Sequence, residues 1–230
     1  MSLKNSLLEE FYKLFSFLDL VRKFGIRKGL QKVIYFKREA IVFERSLANE
    51  IPQFAHGHQV RIKDGRREDL NEISELYETD LDYRSRVREL NRRNENLLNR
   101  GFRLWPIYSG DTLIGHIWWL QGPIDKTSAA FRYLRWTKIS LGEGEVYLDL
   151  LFISSRFRGK GAANEVMSAV LSGLQRREIK KAYTYVLKEN VPSLWLIKVF
   201  GWTETRRVYF HRIFLVEAKD GCLSFISQMT

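Results

Sequence analysis

The chain has 230 residues, enough for one sizeable buried core, and its 38 Lys and Arg against 27 Asp and Glu give a net charge of +11, which suits a polyanionic ligand without choosing among nucleic acid, acidic surface and phosphate. A single cysteine, Cys222, excludes a disulfide framework and a multi-cysteine zinc site. No apolar run approaches the ~20 residues of a membrane span, and charges interrupt the N-terminus where a signal peptide needs an apolar core, so the sequence reads as cytoplasmic.

In chain order, residues 3–24 place Leu7, Phe11, Leu14, Leu18 and Val21 on one stripe at helical spacing. This predicts an amphipathic helix ending near Gly25. Its polar face is mixed in charge, which favours docking on the protein body over peripheral membrane contact. Residues 33–47 read as extended structure with a charged break, and the polar stretch 48–58, with Pro52 and Gly57, as a linker. The expected division is an N-terminal helical and extended extension over 1–58 and the main domain over 59–230. In that domain the pattern predicts a short strand at 60–63, helices over 67–77 and 82–99, and a hairpin of strands 103–108 and 112–120. An irregular insertion follows over 121–141. Residues 145–153 form the most apolar strand, with both parities greasy, hence central in the sheet. Ala163, Val166, Met167, Val170, Leu171 and Leu174 give a helix at i, i+3, i+4, i+7 spacing. A strand at 182–187, a helix at 191–200 closed by Gly201, and a strand at 208–217 complete the order.

The stretch SSRFRGKGAA, residues 154–163, joins the central strand to its helix. Strand, glycine loop and helix together make a phosphate grip, because the first helical N–H groups lack partners and glycine lets a ligand approach the backbone. The nucleotide P-loop is excluded: Lys160 is followed by Gly161, and no hydroxyl waits for magnesium. The dinucleotide fingerprint fails at Asn164. Arg158-Gly159-Lys160-Gly161-Ala162-Ala163 instead resembles the [QR]-x-x-G-x-[GA] pyrophosphate loop of the GCN5-related N-acetyltransferase (GNAT) superfamily, with Arg158, Gly161 and Ala163 at the defining positions. The strand VYLDLLFIS resembles that family's fourth strand. ENVPSLWLIKVFGW is similar to its second motif, N-x-x-[AS]-x-x-x-Y-x-x-x-G-[FW], through Asn190, Ser193, Gly201 and Trp202. The likeness spans residues 60–217, about two thirds of the chain.

The resemblance implies an α/β acyl-CoA N-acyltransferase fold: a mixed, mostly antiparallel sheet flanked by helices, here with an N-terminal helical extension. It implies acetyl-CoA as acyl donor. The backbones of Leu151 and Ile153 are expected to bond the pantetheine arm, and the amides of Arg158, Gly159, Lys160, Gly161, Ala162 and Ala163 to receive the pyrophosphate. Asn190 is expected to contact the cofactor near the thioester.

Acetyl transfer needs a neutral amine, so a base helps. Asp149 is the one charge inside the central strand. It shares strand parity with Tyr147, Leu151 and Ile153, the face expected to line the cleft, and the polyamine-type members that VYLDLLFI resembles carry an acidic residue there. Burial would raise the pKa of such a carboxylate, which suits a base; the alternative is a structural pair with an arginine. The thiolate-protonating tyrosine of the family falls at Ile197, which cannot donate a proton. Tyr185, Tyr209 and His116 are weaker candidates, and His56 and His58 give no converging metal set, so no metal is expected. Residues 84–103 hold seven arginines against two glutamates. They read foremost as a solvated face, then as a border to an acidic acceptor or a phosphate-tracking helix, and nucleic acid is not the expected partner. The sequence therefore reads as an acetyltransferase acting on a primary amine of a small molecule or peptide. The alternatives are a longer acyl-CoA or carrier-bound donor, for which Phe131, Tyr133 and Trp136 in the insertion would enlarge the cleft, and a non-catalytic CoA-binding module.

Overall fold

The computed structural model describes residues 35–54, 57–213, 216–219 and 222–225. The predicted N-terminal amphipathic helix and His56 lie outside the described residues. The chain divides into two units, Ile41–Arg206 and a smaller one of Met1–Ala40 with Arg207–Thr230. In the smaller unit the end of β7 (Thr203–Ile213) pairs antiparallel with β8 (Val216–Lys219), and β8 with β9 (Cys222–Phe225). The single strand expected over 208–217 is thus broken after Ile213.

In the larger unit the strands run β2 (Val60–Ile62), β3 (Arg103–Ser109), β4 (Thr112–Gln121), β5 (Glu145–Ile153), β6 (Lys181–Leu187), the part of β1 (Tyr35–Ser46) from Ile41 and the part of β7 up to Arg206 across the sheet. The β2–β3, β3–β4 and β4–β5 pairs are antiparallel and β5–β6 is parallel. Eight consecutive residues of β4, Leu113–Leu120, are buried, because helices cover both faces of this strand. One face carries α1 (Asp69–Thr79) and α2 (Val87–Asn99). These bury Ile73 and Tyr77, and Leu90, Asn94 and Leu97, at helical spacing. The other face carries α4 (Ala162–Gln175), whose Val166, Val170 and Leu174 meet Trp105, Trp119, Val146 and Leu148 in the main core.

The 121–141 insertion departs from expectation. It contains α3 (Ala129–Leu134) and a 3-10 turn, Arg135–Thr137. Ser128 caps α3 by accepting from the Phe131 amide at 3.1 Å, and Ala130 and Leu134 bury one side. A six-residue helix shows too few turns for its period to be read.

Candidate active site

The site begins with a defect in β5. Leu150 takes a left-handed backbone, φ +46°. The β4–β5 register shifts there: Trp118 stands opposite Asp149 but His116 opposite Phe152. The extra residue makes a bulge, which reverses the strand's faces. Asp149 and Tyr147 face α1 and α2, and so does Phe152, whose ring meets those of Tyr77 and His116. Leu151 and Ile153 pack instead with the α4 core. The expectation that Asp149 shares a face with Leu151 and Ile153 is corrected, since simple alternation ends at Leu150. The bulge also coincides with a parting of strands. β5 and β6 pair only from Glu145–Lys181 to Tyr147–Tyr183. Beyond this, the β6-facing edge of β5 is left outside the ladder, and the Leu148 carbonyl accepts from Thr184 Oγ1 at 3.0 Å.

The glycine loop follows that open edge. Gly161 is the N-cap of α4 with φ +80°, a conformation that any other residue adopts only under strain. The amides of Arg158, Gly159, Lys160, Gly161, Ala162 and Ala163 form no hydrogen bond among the described residues, while Asn164 N and Glu165 N turn back to the Gly161 carbonyl. Six successive unpaired donors at a helix N-terminus fit an anionic group. Asn164, buried in the same first turn, leaves its Oδ1 without a partner among the described residues. The Arg158 side chain points elsewhere. Its Nε donates to the Ile153 carbonyl at 2.7 Å, its Nη1 to Asp82 at 2.6 Å, and its guanidinium covers the Tyr83 ring. Arg158 therefore fastens the loop to the α1–α2 turn, and the loop's amides are what it offers a ligand. Asp80 reinforces this by accepting from the Ser155 amide at 2.6 Å; burial opposes the charge of this carboxylate, but backbone donors outweigh it and hold the pKa below its ordinary value. His58 closes the other side, its Nε2 donating to the Lys160 carbonyl at 2.9 Å and its amide to Glu165 at 3.2 Å.

Asp149 has a side chain only 4% exposed. Arg93 of α2 donates to its Oδ1 at 3.1 Å, and the Tyr133 hydroxyl of α3 donates to its Oδ2. Burial disfavours the Arg93 cation, but Asp149 more than compensates and keeps it charged. Burial and then Asp149 push the Tyr133 phenol well above its ordinary pKa, so it is a donor at neutral pH. Tyr147, fully buried, is raised by the same causes, and its hydroxyl has no partner among the described residues. Of the insertion, Tyr133 sits on Asp149 and the Trp136 ring is 4.9 Å from that of Tyr185.

The remaining candidates separate. Asn190 caps α5 (Val191–Val199), accepting from the Ser193 amide at 3.3 Å. Ile197 is buried in the core. His116 is wholly buried: Tyr77 donates to its Nε2, Asn94 donates to Tyr77 at 3.1 Å, and Trp118 donates to Asn94 at 3.0 Å. Tyr209 lies on the β7 segment of the smaller unit. Within the arginine run, Arg86 pairs with Glu89 and Arg93 with Asp149. A concavity of about 280 Å³ beside Lys63, Asp64, Trp105 and Arg177 lies at the far, C-terminal end of α4, where Arg177 is tied to Asp64. The arginine pair raised as the alternative for Asp149 is present, with Arg93; sequence reasoning did not say which arginine and missed Tyr133, because each lies on a different element and carries no motif.

The acetyltransferase (GNAT) family model matches residues 67–202. No curated protein matches the sequence significantly. Among solved structures, the GCN5-related glucosamine N-acetyltransferase region of a fungal multi-domain GH3 β-N-acetylglucosaminidase superposes with a TM-score of 0.57 at 14% identity, over 77% of this chain and 21% of that one. A GNAT-family acetyltransferase from Colwellia psychrerythraea gives 0.51 at 12% identity, over 80% and 59%. A tandem GNAT protein of the clavulanic acid biosynthesis pathway gives 0.51 at 14%, over 77% and 54%. This chain thus spans about a fifth to three fifths of those proteins, and at such identities the likeness is one of fold. With the family model covering more than half the sequence, the chain belongs to the acetyltransferase (GNAT) family, enzymes that move an acyl group from an acyl-CoA to an amine.

Proposed function

We propose that this protein transfers an acetyl group from acetyl-CoA to a primary amine of a small molecule or peptide, in the cytoplasm. The observation that carries the reading is the row of six unpaired amides, Arg158 to Ala163, beside the β5 edge that β6 abandons. On this reading those amides and the α4 dipole hold the pyrophosphate. The free edge of β5 at Leu151 and Ile153 aligns the pantetheine arm, with one restriction: the Ile153 carbonyl already accepts from Arg158. Asn190, at the mouth of α5, borders the thioester. Acetyl-CoA supplies the activated acyl carbon. Asp149 acts as the base for the attacking amine, held in place by Arg93 and Tyr133. Ile197 gives no acid, and a thiol of pKa about 8.5 leaves as thiolate at modest cost.

The test is acetyl-CoA binding followed by turnover. Acetyl-CoA is expected to raise the thermal midpoint, by about 2.7 kcal/mol of stability at 100 times Kd, and to release CoA thiol in the presence of an accepted amine. Gly161→Glu puts a side chain and a negative charge among the loop amides, and is expected to abolish the midpoint shift. A folded Gly161→Glu protein that responds like the wild type would refute the loop assignment.

A further inference from the structure

The geometry around Asp149 poses a difficulty for any base at this position. Its side chain is 4% exposed, and both oxygens are engaged, one by Arg93 and one by Tyr133. Each oxygen keeps a further lone pair, but at 4% exposure neither is open to an amine directly. A proton must reach the carboxylate through one of the two groups that touch it. Arg93 cannot pass one, because a guanidinium offers donors and no acceptor. Tyr147 also neighbours the carboxylate, but it is 0% exposed and leads nowhere. Tyr133 is different. The residue is partly exposed although its hydroxyl is enclosed, that hydroxyl is in contact with Asp149 Oδ2, and a phenol both donates and accepts. Its ring is fixed against the edge of Phe102, centroids 5.4 Å apart, and under the Arg100 guanidinium at 5.1 Å.

We propose that Tyr133 is a catalytic residue that relays the acceptor's proton to Asp149. The proposal rests on the reading of this site as an amine acetyltransferase. In the step, the neutral amine nitrogen bonds the acyl carbon and the thioester C–S bond breaks, its electron pair leaving with sulfur. The amine proton passes to Tyr133 Oη while the Tyr133 proton passes to Asp149 Oδ2. Tyr133 ends the step neutral and Asp149 protonated. The reverse transfer then returns one proton to the leaving thiolate or to water, which also answers the absence of an acid at Ile197. The phenol's raised pKa fits this role, since Tyr133 is never required to exist as a lasting phenolate. The insertion that carries α3 thereby contributes to the chemistry.

The experiment compares wild type, Tyr133→Phe, Asp149→Asn and the double variant. Acetyl-CoA binding is read by thermal shift, and turnover by CoA-thiol release with an amine the wild type accepts. Tyr133→Phe keeps the ring and its contacts, so the midpoint shift is expected to persist while kcat falls roughly 10²-fold. Members of one relay act as a unit, so the double variant is expected to be no slower than the slower single variant. Replacing Tyr133 by fluorinated tyrosines, nearly isosteric with the native residue, is expected to change kcat in step with phenol acidity, a response that a merely structural hydroxyl would not give. A Tyr133→Phe rate within twofold of wild type overturns the relay and leaves the acetyltransferase reading standing. So do losses that multiply in the double variant. A wild type that binds acetyl-CoA yet acetylates no amine in a broad panel overturns both.

Discussion

Gly115 shows how narrowly single residues define this site. It stands opposite Ile153 on β4, and a methyl group there would lie 2.1 Å from the Phe152 carbonyl oxygen and 3.1 Å from Ile153 Cα. No side chain can yield, because the obstacle is backbone. Gly115→Ala is expected to cost about 1–3 kcal/mol, the range for overpacking, and to weaken acetyl-CoA binding by pushing the end of β5 aside. Chemical denaturation and the acetyl-CoA thermal shift check the two effects; an Ala variant of wild-type stability would show that the strands separate freely here. The same few residues show where reading by parity stops. Asp149 was visible in the sequence as a charge in an apolar strand. Its face was not, because the left-handed Leu150 interrupts the alternation on which the argument depends.

At the scale of elements, α5 separates two roles for one residue. Asn190 was expected at the thioester from its motif, and the structure also gives it the N-cap of α5. Asn190→Ala is expected to lower the stability of the ligand-free protein by about 1 kcal/mol through loss of the cap. Asn190→Asp keeps the capping oxygen and removes the amide donor. It is therefore expected to preserve ligand-free stability while reducing acetyl-CoA affinity. Ligand-free stability unchanged by Asn190→Ala would make the cap dispensable, and unchanged affinity in Asn190→Asp would remove Asn190 from the cofactor site. Long periodic elements were legible: α4 and β5 occupy the ranges their patterns predict to within a residue. The short α3 was not, since its helix depends on one cap and two buried side chains.

For the whole molecule, stability is tied to pH through a group far from solvent. Burial, and after it the Arg93 charge, push His116 down to about 3. The groups facing it are Tyr77, which donates to its Nε2, and the Phe152 ring stacked on it. The folded protein keeps His116 neutral, while the unfolded chain protonates it below about 6.5. The unfolded state then binds the extra proton, so stability is full above pH 6.5 and is lost as pH falls toward 3, at up to about 1.4 kcal/mol per unit. Asp80, with its lowered pKa, adds a loss in the same direction below about pH 4. Thermal midpoints between pH 7 and 4.5 isolate the histidine, and His116→Gln is expected to flatten the fall in that window. A variant with the wild-type slope would place the titration elsewhere.

The sequence by itself determined the family, the order of the long elements and the loop, because these are written as contiguous patterns: a period of 3.6 in α4, an apolar run in β5, and glycines at fixed offsets before a helix. It also placed a carboxylate in the central strand and an isoleucine where the family has a tyrosine. Only the tertiary structure decided what Asp149 faces and what holds it. Its partners come from α2, some 56 positions away, and from α3, 16 positions away, and neither distance repeats as a pattern. The bulge at Leu150 was likewise set by the pairing of β5 with β4 on one side and its release from β6 on the other. Local propensity records neither, since a residue's face in a sheet depends on the register of strands that lie far away in sequence.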